Sequence, residues 1–253
     1  MVVLSVKSQD TGGALDSLIR AGGASLPIVC LQNGVENERL ASRCCADVYG
    51  GAVMSPTAHL KPGVVCAHGT RLTGAIDIGR YPSGTDSRAE ALCEALRVSG
   101  YESEPRDDIM RHKHAKLINN LRNAIQVTCG LDADVGELAQ LLMEEGRRAL
   151  RAAGIPHQAP EITDTESRFE RWGVVPDIPG EPRRGSSSYQ SVVRGGRLET
   201  DYLNGEIVLR GRQHGTPTPL NALMQELAHR TEHERREPGW ISPQEILEQV
   251  EIR

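Results

Sequence analysis

One short segment constrains the fold more than any other. Residues 27–31, Pro-Ile-Val-Cys-Leu, are apolar without alternation and are followed at once by Gln32-Asn33-Gly34. A wholly apolar run of this length is typical of a strand that is buried on both faces, as in parallel sheets covered by helices. Similar extended runs occur at Val2–Val6 and Val48–Val53. The first hundred residues therefore predict an α/β fold with a mainly parallel sheet.

Helical segments separate these strands. The pattern predicts helices at Asp16–Ala21, Glu36–Cys45 and Ser87–Val98. It also predicts that the strands Val64–His68 and Gly74–Ile78, which follow the turn residues Pro62-Gly63, pair with each other. Strand and helix signals thus alternate at the spacing of an α/β unit.

The hydrophobic pattern of the sequence changes after about residue 107, and from there helical periodicity dominates. The predicted helices are Ile109–Thr128, Val135–Ala153, Gly185–Val193 and Pro219–Glu234. A boundary near residue 105 therefore separates an α/β half, residues 1–105, from an all-helical half, residues 106–253.

Composition excludes several classes of function. The net charge is -5, and no basic run is dense enough to bind nucleic acid or an anionic membrane by electrostatics. No segment approaches the ~20 apolar residues that a membrane span needs, and the first residues do not form a signal peptide. The six cysteines lack Cys-x-x-Cys spacing, which indicates reduced, mostly buried thiols in a cytoplasmic protein.

A lysine followed by two asparagines is the most specific candidate site in the sequence. The chain has only four lysines, and one of them, Lys116, precedes Asn120 and Asn123 by four and seven residues. On a continuous helix these three side chains lie on one face. An ammonium beside two amides can bind a small oxo-acid, because the ammonium donates and the amides donate or accept hydrogen bonds. A simply solvated polar face is the alternative, and the pattern does not decide between them.

A second polar cluster combines residues 197–205 with the preceding segment 186–190. Here Glu199 could hold a partly buried lysine and tune its pKa toward proton donation. The alternative is a capping cluster, with Ser187 as the N-cap of a helix and Glu199 on the surface. Composition favours this second interpretation.

Asn33 is a third candidate, because the carboxyl ends of parallel strands are where ligands bind in open α/β sheets. An ordinary Asn-Gly turn is the alternative. We expect no metal site, since His112 and His114 are two residues apart and lack a third ligand at metal spacing. The sequence contains no Gly-x-Gly-x-x-Gly, Walker loop, nucleophile elbow or His-Glu-x-x-His motif.

Taken in order, these motifs resemble the ketopantoate reductase (2-dehydropantoate 2-reductase) family from Val2 to about Leu227. The motifs that carry the resemblance are the strand ending in Lys7, Gln32-Asn33-Gly34, Lys116-Leu117-x-x-Asn120, Ser186-Ser187-x-x-Gln190, Glu199-x-Asp201-Tyr202-x-Asn204-Gly205, and Gly215-Thr216-Pro217-Thr218-Pro219-Leu220-Asn221. The resemblance implies an incomplete Rossmann-type parallel sheet that forms a partial NADPH domain in residues 1–105, joined to an all-α C-terminal substrate and dimerisation domain in residues 106–253. It also implies reduction of ketopantoate or a similar 2-oxo acid, a step toward pantothenate and coenzyme A.

The resemblance also implies residue roles. Lys116 would be the proton donor and Glu199 would lie beside it and the cofactor. Asn120, Asn123 and Ser187 would contact the substrate.

For the cofactor, the resemblance implies that Asn33 lies between nicotinamide and substrate, so that it touches both. Lys7 falls on a position that faces the active site, and Glu199 also borders the cofactor. The expected partners are a small 2-oxo acid and a second copy of the chain, bound through the helical domain.

The chain departs from the family pattern at several points. The second substrate asparagine usually stands four residues after the first, whereas Ala124 occupies that position and Asn123 is one short. His114 replaces an aromatic residue, and Ser191 replaces an aspartate. The strand, Gly-x-Gly-x-x-Gly turn and further strands that open other members, about 60 residues, have no counterpart.

This last departure leads to an expectation about the cofactor. Those units supply the contacts to the pyrophosphate and 2′-phosphate. We therefore expect a misassigned start or a truncated chain, and we expect the 253 residues to bind NADPH no better than high micromolar to millimolar. The alternative is a cofactor-incompetent remnant that acts as a binding or dimerisation module or is inactive. A third possibility is a relative that reduces or oxidises another 2-oxo or 2-hydroxy acid, or an amino-acid-derived substrate.

Overall fold

The structure is a computed structural model that describes residues 1–175, 177–182 and 184–251. Its strands are β1 (Val2–Leu4), β2 (Ile28–Cys30), β3 (Val48–Met54), β4 (Thr57–Lys61), β5 (Val64–Ala67), β6 (Gly74–Arg80), β7 (Tyr101–Glu102), β8 (Asp177–Ile178) and β9 (Glu181–Pro182). Its helices are α1 (Thr11–Arg20), α2 (Asn37–Ala41), α3 (Ser87–Val98), α4 (Ile109–Asn120), α5 (Asn123–Cys129), α6 (Gly136–Ala152), α7 (Pro160–Thr163), α8 (Thr165–Trp172), α9 (Ser187–Val193), α10 (Asn204–His214), α11 (Pro219–His233) and α12 (Pro243–Glu251).

The chain divides into two compact units. The first contains residues 1–57, 66–116 and 158–183, and the second contains residues 58–65, 117–157 and 184–253, of which 252 and 253 lie outside the described residues. The fold class is confirmed, because a sheet with parallel strands is followed by helices. The domain division at residue 105 stays a prediction.

A five-stranded sheet with the order β1-β2-β3-β6-β7 forms the centre of the first unit. Its first three strands are parallel to one another, as are β6 and β7, but β3 and β6 are antiparallel. The prediction that Val64–His68 pairs with Gly74–Ile78 is therefore wrong. Instead β5 pairs with β4 across Pro62-Gly63, because Gly63 adopts a φ of 76° that a tight two-residue turn between neighbouring strands needs.

Both faces of this sheet are covered, which explains the unbroken apolar run at residues 27–31. Successive residues of a strand point to opposite faces. Ile28 and Cys30 pack with residues of α1 and α2, whereas Val29 packs on the other face with residues of β6 and α3. Each residue of β2 is thus buried, as its sequence predicts.

The second unit is built mainly from α5, α6, α9, α10 and α11. The predicted helix Ile109–Thr128 is broken here into α4 and α5, so the prediction of one continuous helix is wrong. At the break, the carbonyl of Leu121 accepts a hydrogen bond from Asn204 Nδ2 at 3.2 Å, while the amide of Ile125 bonds to Arg122 O at 3.1 Å instead. A side chain distant in sequence therefore stabilises the interruption.

Within the described part of the chain, no helix has the length and apolar character to cross a membrane. The described His, Cys, Asp and Glu side chains form no group of three or more that could hold a metal ion. All six cysteines are free thiols, and the buried ones are Cys30, Cys45, Cys93 and Cys129.

Candidate active site

Lys116 lies near the end of α4 and is half-buried. Its Nζ donates a hydrogen bond to Asn33 Oδ1 at 2.8 Å and another to the carbonyl of Val53. Asn33 follows β2, and Val53 is near the end of β3. The structure thus brings two sequence-predicted residues together at the carboxyl ends of two neighbouring parallel strands.

Asn33 is held in place by its own backbone contacts. Its carbonyl accepts hydrogen bonds from Asn37 Nδ2 at 2.8 Å and from Ser8 Oγ at 3.3 Å. The next residue, Gly34, has a φ of 75°, a conformation that glycine adopts without steric cost. The Asn-Gly pair is therefore a turn, as the alternative interpretation holds, and it also presents the Asn33 carboxamide to Lys116.

Gln32 ties the end of β2 to the end of β1. Its Nε2 donates to the carbonyl of Val6 at 2.9 Å and to Thr11 Oγ1 at 2.7 Å, and Thr11 in turn donates to Asn37 Oδ1 at 2.8 Å. These polar side chains are buried and bond to one another, although Gln32 Oε1 has no hydrogen-bond partner among the described residues. Sequence reasoning missed Thr11 and Asn37, and their signal is weak because both belong to residue types common in turns.

A buried ion pair lies beside this segment and was also missed. Lys113, three residues before Lys116, forms a salt bridge with Glu38 and donates to the carbonyl of Gln32 at 3.0 Å. Lys113 is 3% exposed and Glu38 is 0% exposed. Burial raises the pKa of Glu38, and the Lys113 ammonium opposes that rise. The scarcity of lysine was the signal that could have found this pair.

Lys7 occupies the matching position after β1. The parallel register pairs Leu4 with Cys30, so Lys7 and Asn33 each lie three residues beyond a register pair. Lys7 is half-buried, and its carbonyl accepts the amide of Asp10 at 2.9 Å in a 3-10 turn. It therefore lies at the same carboxyl edge of the sheet as Asn33.

In the second unit, Asn123 is 7% exposed, and its carboxamide makes no hydrogen bond with any residue the structure describes. One turn further along α5, Gln126 Oε1 accepts the amide of Ser186 at 2.7 Å. This face of α5 therefore meets the start of α9, where Ser187 is the first residue. A buried amide without a partner is a good candidate for ligand binding.

The predicted role of Ser187 as an N-cap is wrong. Ser186 is the N-cap of α9, since its hydroxyl accepts the amide of Tyr189 at 3.3 Å. The Ser187 side chain is exposed and, within the described residues, its hydroxyl forms no hydrogen bond. This hydroxyl can therefore bind a ligand without breaking a cap.

The remaining predicted residues are also in this second unit. Asn120 is the last residue of α4 and is half-buried. Glu199 is half-buried, and its carbonyl accepts the amide of Tyr202 at 2.9 Å. Because α4 ends at Asn120, the prediction that Asn123 shares a single helix face with Lys116 and Asn120 is wrong.

Two motif asparagines and a motif glutamine stabilise the second unit. Asn204 Nδ2 also donates to Asn221 Oδ1 at 3.1 Å, and Asn221 Nδ2 donates to Glu145 Oε1 at 2.9 Å. Gln190 Oε1 accepts the amide of His59, in β4, at 2.9 Å. These buried polar contacts connect α10 and α11 to α6, and α9 to the hairpin.

The fold and these side chains define an α/β protein of the class that binds small molecules at the carboxyl edge of its sheet. Two family profiles match the chain: Ketopantoate reductase PanE/ApbA over residues 1–83, and Ketopantoate reductase PanE/ApbA C terminal over residues 108–232. The 2-dehydropantoate 2-reductase of Halobacterium salinarum is 31% identical over 226 residues, which make up 87% of this chain and 72% of that enzyme. The chain belongs to the ketopantoate reductase family.

Solved structures agree with this assignment. The PanE/ApbA family ketopantoate reductase from Ralstonia eutropha JMP134 is 28% identical with a TM-score of 0.74, covering 92% of this chain and 76% of that one. A D-mandelate dehydrogenase crystallised with NADH has the same TM-score at 21% identity, covering 93% and 80% of the two chains. This second likeness shows a shared fold.

Proposed function

We propose that this protein reduces the ketone of a 2-oxo acid, 2-dehydropantoate first of all, and that Lys116 donates the proton. The hydrogen bond of 2.8 Å between Lys116 Nζ and Asn33 Oδ1 at the carboxyl edge of the sheet carries the proposal. The names of the relatives support the same substrate. An ammonium is a suitable general acid for a developing alkoxide, and such help is worth roughly 10²- to 10⁴-fold in rate.

The residues of the first unit orient this acid. Asn33 Oδ1 and the carbonyl of Val53 accept two of the three N–H groups of the ammonium and so restrict its rotation. Holding the donor in one geometry lowers the entropic cost of proton transfer. The backbone contacts of Asn33 keep this geometry when no substrate is present.

Substrate binding is assigned to the second unit. The Asn123 carboxamide is buried without a hydrogen-bond partner among the described residues, and the Ser187 hydroxyl is available at the start of α9. Carboxamides and hydroxyls can bind both the carboxylate and the hydroxyl groups of a branched 2-oxo acid. We assign Asn120 to the same role, and Glu199 to the orientation of the lysine and the cofactor border.

The residues present fit the nicotinamide end of a dinucleotide cofactor. Polar side chains follow both β1 and β2, with Lys7 and the Asn33 carboxamide at equivalent positions of the carboxyl edge, which is where dinucleotides bind in such sheets. We propose NADPH, which would supply the hydride. A comparison of kcat/KM for NADPH and NADH tests this choice.

Lys116→Ala tests the function. The wild-type chain and the variant are assayed with 2-dehydropantoate at millimolar NADPH, since the expected affinity is weak. The variant should lose at least about 100-fold in kcat, because a methyl group cannot donate a proton. Lys61→Ala, at an exposed lysine of β4, is the matched control and should keep full activity.

The outcomes separate the alternatives. Turnover by Lys116→Ala within about twofold of the wild type would contradict the proton-donor role. No turnover by the wild type, together with calorimetric binding of 2-dehydropantoate, would favour the alternative of a binding module. Turnover with other 2-oxo acids but not with this one would reassign the substrate.

The proposal also covers the setting of the enzyme. The six free thiols favour a reducing compartment, and we place the protein in the cytoplasm. We further propose a homodimer through the helical unit, where Leu141, Val193 and Leu209 are exposed. Light scattering at several protein concentrations measures the oligomeric state.

A further inference from the structure

We propose that the buried ion pair of Lys113 and Glu38 positions Asn33 and, through it, the ammonium of Lys116. The inference rests on the proposed function of Lys116 and Asn33. Lys113 and Glu38 are positioning residues here, because they reach the reacting groups only through the segment that ends β2.

Two lysines of one helix bind two consecutive residues of one strand end. Lys113 Nζ donates to the carbonyl of Gln32 at 3.0 Å, and Lys116 Nζ donates to Asn33 Oδ1 at 2.8 Å. Residues three apart in a helix lie on neighbouring positions of the same face. The Lys113 contact therefore fixes the position of α4 relative to the end of β2. This position determines the distance between Lys116 Nζ and Asn33 Oδ1.

The ion pair completes a set of restraints around this strand end. From the side of β1, the Gln32 side chain bonds to Val6 and Thr11, and from α2 the Asn37 side chain bonds to the carbonyl of Asn33. Among these contacts, the Lys113 tether comes from α4, the helix that carries Lys116. Without it, the strand end stays tied to its neighbours while its alignment with Lys116 is released.

Stability by itself does not explain the pair. Removing two charges from water costs about as much as their attraction returns, so a buried salt bridge is often replaceable by apolar residues. The arrangement is also incompletely satisfied, because the buried Glu38 Oε2 has no hydrogen-bond partner in the part of the chain that the structure describes. Burial raises the pKa of Glu38, which is a further sign of that cost. A positioning role accounts for a pair that stability does not require.

The test replaces both charges together, in the variant Lys113→Met/Glu38→Leu, so that no unpaired charge stays buried. The readout is the rate of acetylation of Lys116, measured by mass spectrometry and compared with Lys61 in the same molecule. It needs no substrate and no cofactor. The rate at Lys116 should rise about tenfold, the fold-change that corresponds to the loss of about one hydrogen bond, while the rate at Lys61 stays constant.

A double-mutant cycle distinguishes positioning from general loosening. Asn33→Ala should raise the Lys116 rate by a similar factor, and adding the Lys113→Met/Glu38→Leu changes to it should add less than twofold, because both act through one contact. Asp77→Asn is the control. It removes one charge from a different ion pair, between the buried Asp77 and the half-buried Arg106, and should leave the Lys116 rate unchanged. If the Lys113→Met/Glu38→Leu variant does not fold, Lys113→Gln/Glu38→Gln, which also removes both charges, gives the same measurement with the same expected result.

A folded Lys113→Met/Glu38→Leu variant whose Lys116 rate stays within twofold of the wild type would overturn the inference, as would full additivity in the cycle. Steady-state kinetics provide a separate test. In an active wild type, the same variant should lower kcat at least tenfold with KM within threefold. An inactive wild type would refute the proposed function and leave the acetylation result as the test of positioning.

Discussion

Two neighbouring glutamates of α6 allow a sharp test of how the second unit is held together. Glu145 is 4% exposed, and its carboxylate accepts the amide of Leu220 at 3.1 Å, the amide of Asn221 at 2.8 Å and Asn221 Nδ2 at 2.9 Å. Leu220 and Asn221 lie in the first turn of α11, and among the described residues the N-cap residue Thr218 makes no side-chain capping hydrogen bond. Glu145 therefore caps α11 from another helix.

We expect Glu145→Ala to lower the free energy of unfolding by about 3–5 kcal/mol. Each hydrogen bond to a charged acceptor contributes about 1.5–3 kcal/mol, and the three are not additive because they share one carboxylate. Two backbone donors would also lose their partner at a helix N-terminus, where the helix dipole favours an anion. Such a loss is a large part of the 5–15 kcal/mol that holds a typical domain folded.

Glu144→Ala is the matched control. Glu144 precedes Glu145 on the same helix, is half-exposed, and pairs with Arg151 and Arg147 at 2.6 and 3.5 Å. Exposed pairs of this kind contribute at most about 1 kcal/mol. Urea unfolding followed by circular dichroism measures both variants, and hydrogen exchange at Leu220 and Asn221 reports the cap itself. A difference between the two variants of less than about 1 kcal/mol would refute the capping role.

Two further predictions concern single residues. Arg235, which follows α11, has a φ of 51°. Arg235→Gly should raise the free energy of unfolding by about 0.5–1 kcal/mol, because glycine adopts this conformation without strain. A lower melting temperature of the variant would contradict this prediction. Burial by itself would raise the pKa of Asp86, but hydrogen bonds from Ala89, Arg80 and Tyr49 lower it to about 2. A carboxyl group whose pKa is lowered in the folded state stabilises the fold above about pH 4, and this contribution is lost as the pH falls toward 2. Asp86→Asn should therefore lower the free energy of unfolding by roughly 1–2 kcal/mol at pH 7, and this effect should vanish over that range. An effect that does not depend on pH would show that the charge is not responsible.

Local sequence patterns determined most of the sheet and one half of the site. The unbroken apolar run at residues 27–31 predicted a strand buried on both faces, and both faces of β2 are covered. A strand with one exposed face would instead alternate apolar and polar residues. Ser87–Val98 begins and ends where predicted. The position of Asn33 after a parallel strand followed from the same pattern, since ligand-binding residues collect at carboxyl ends of strands.

Tertiary structure decided what lies far apart in sequence. At the break between Asn120 and Asn123, the carbonyl of Leu121 bonds to Asn204, 83 residues later, and helical periodicity predicted one helix where the structure has two. The pairing of β3 with β6, rather than of β5 with β6, is likewise a choice between strands that look equally apolar.

The buried pair of Lys113 and Glu38 shows the same limit at the site. Lys113 lies on a helix rich in polar residues, and Glu38 lies in a segment whose sequence is typical of a surface helix. Their 75-residue separation hides the contact from any local pattern. A buried charge is stable only with its partner beside it, and that partner exists only once the chain has folded.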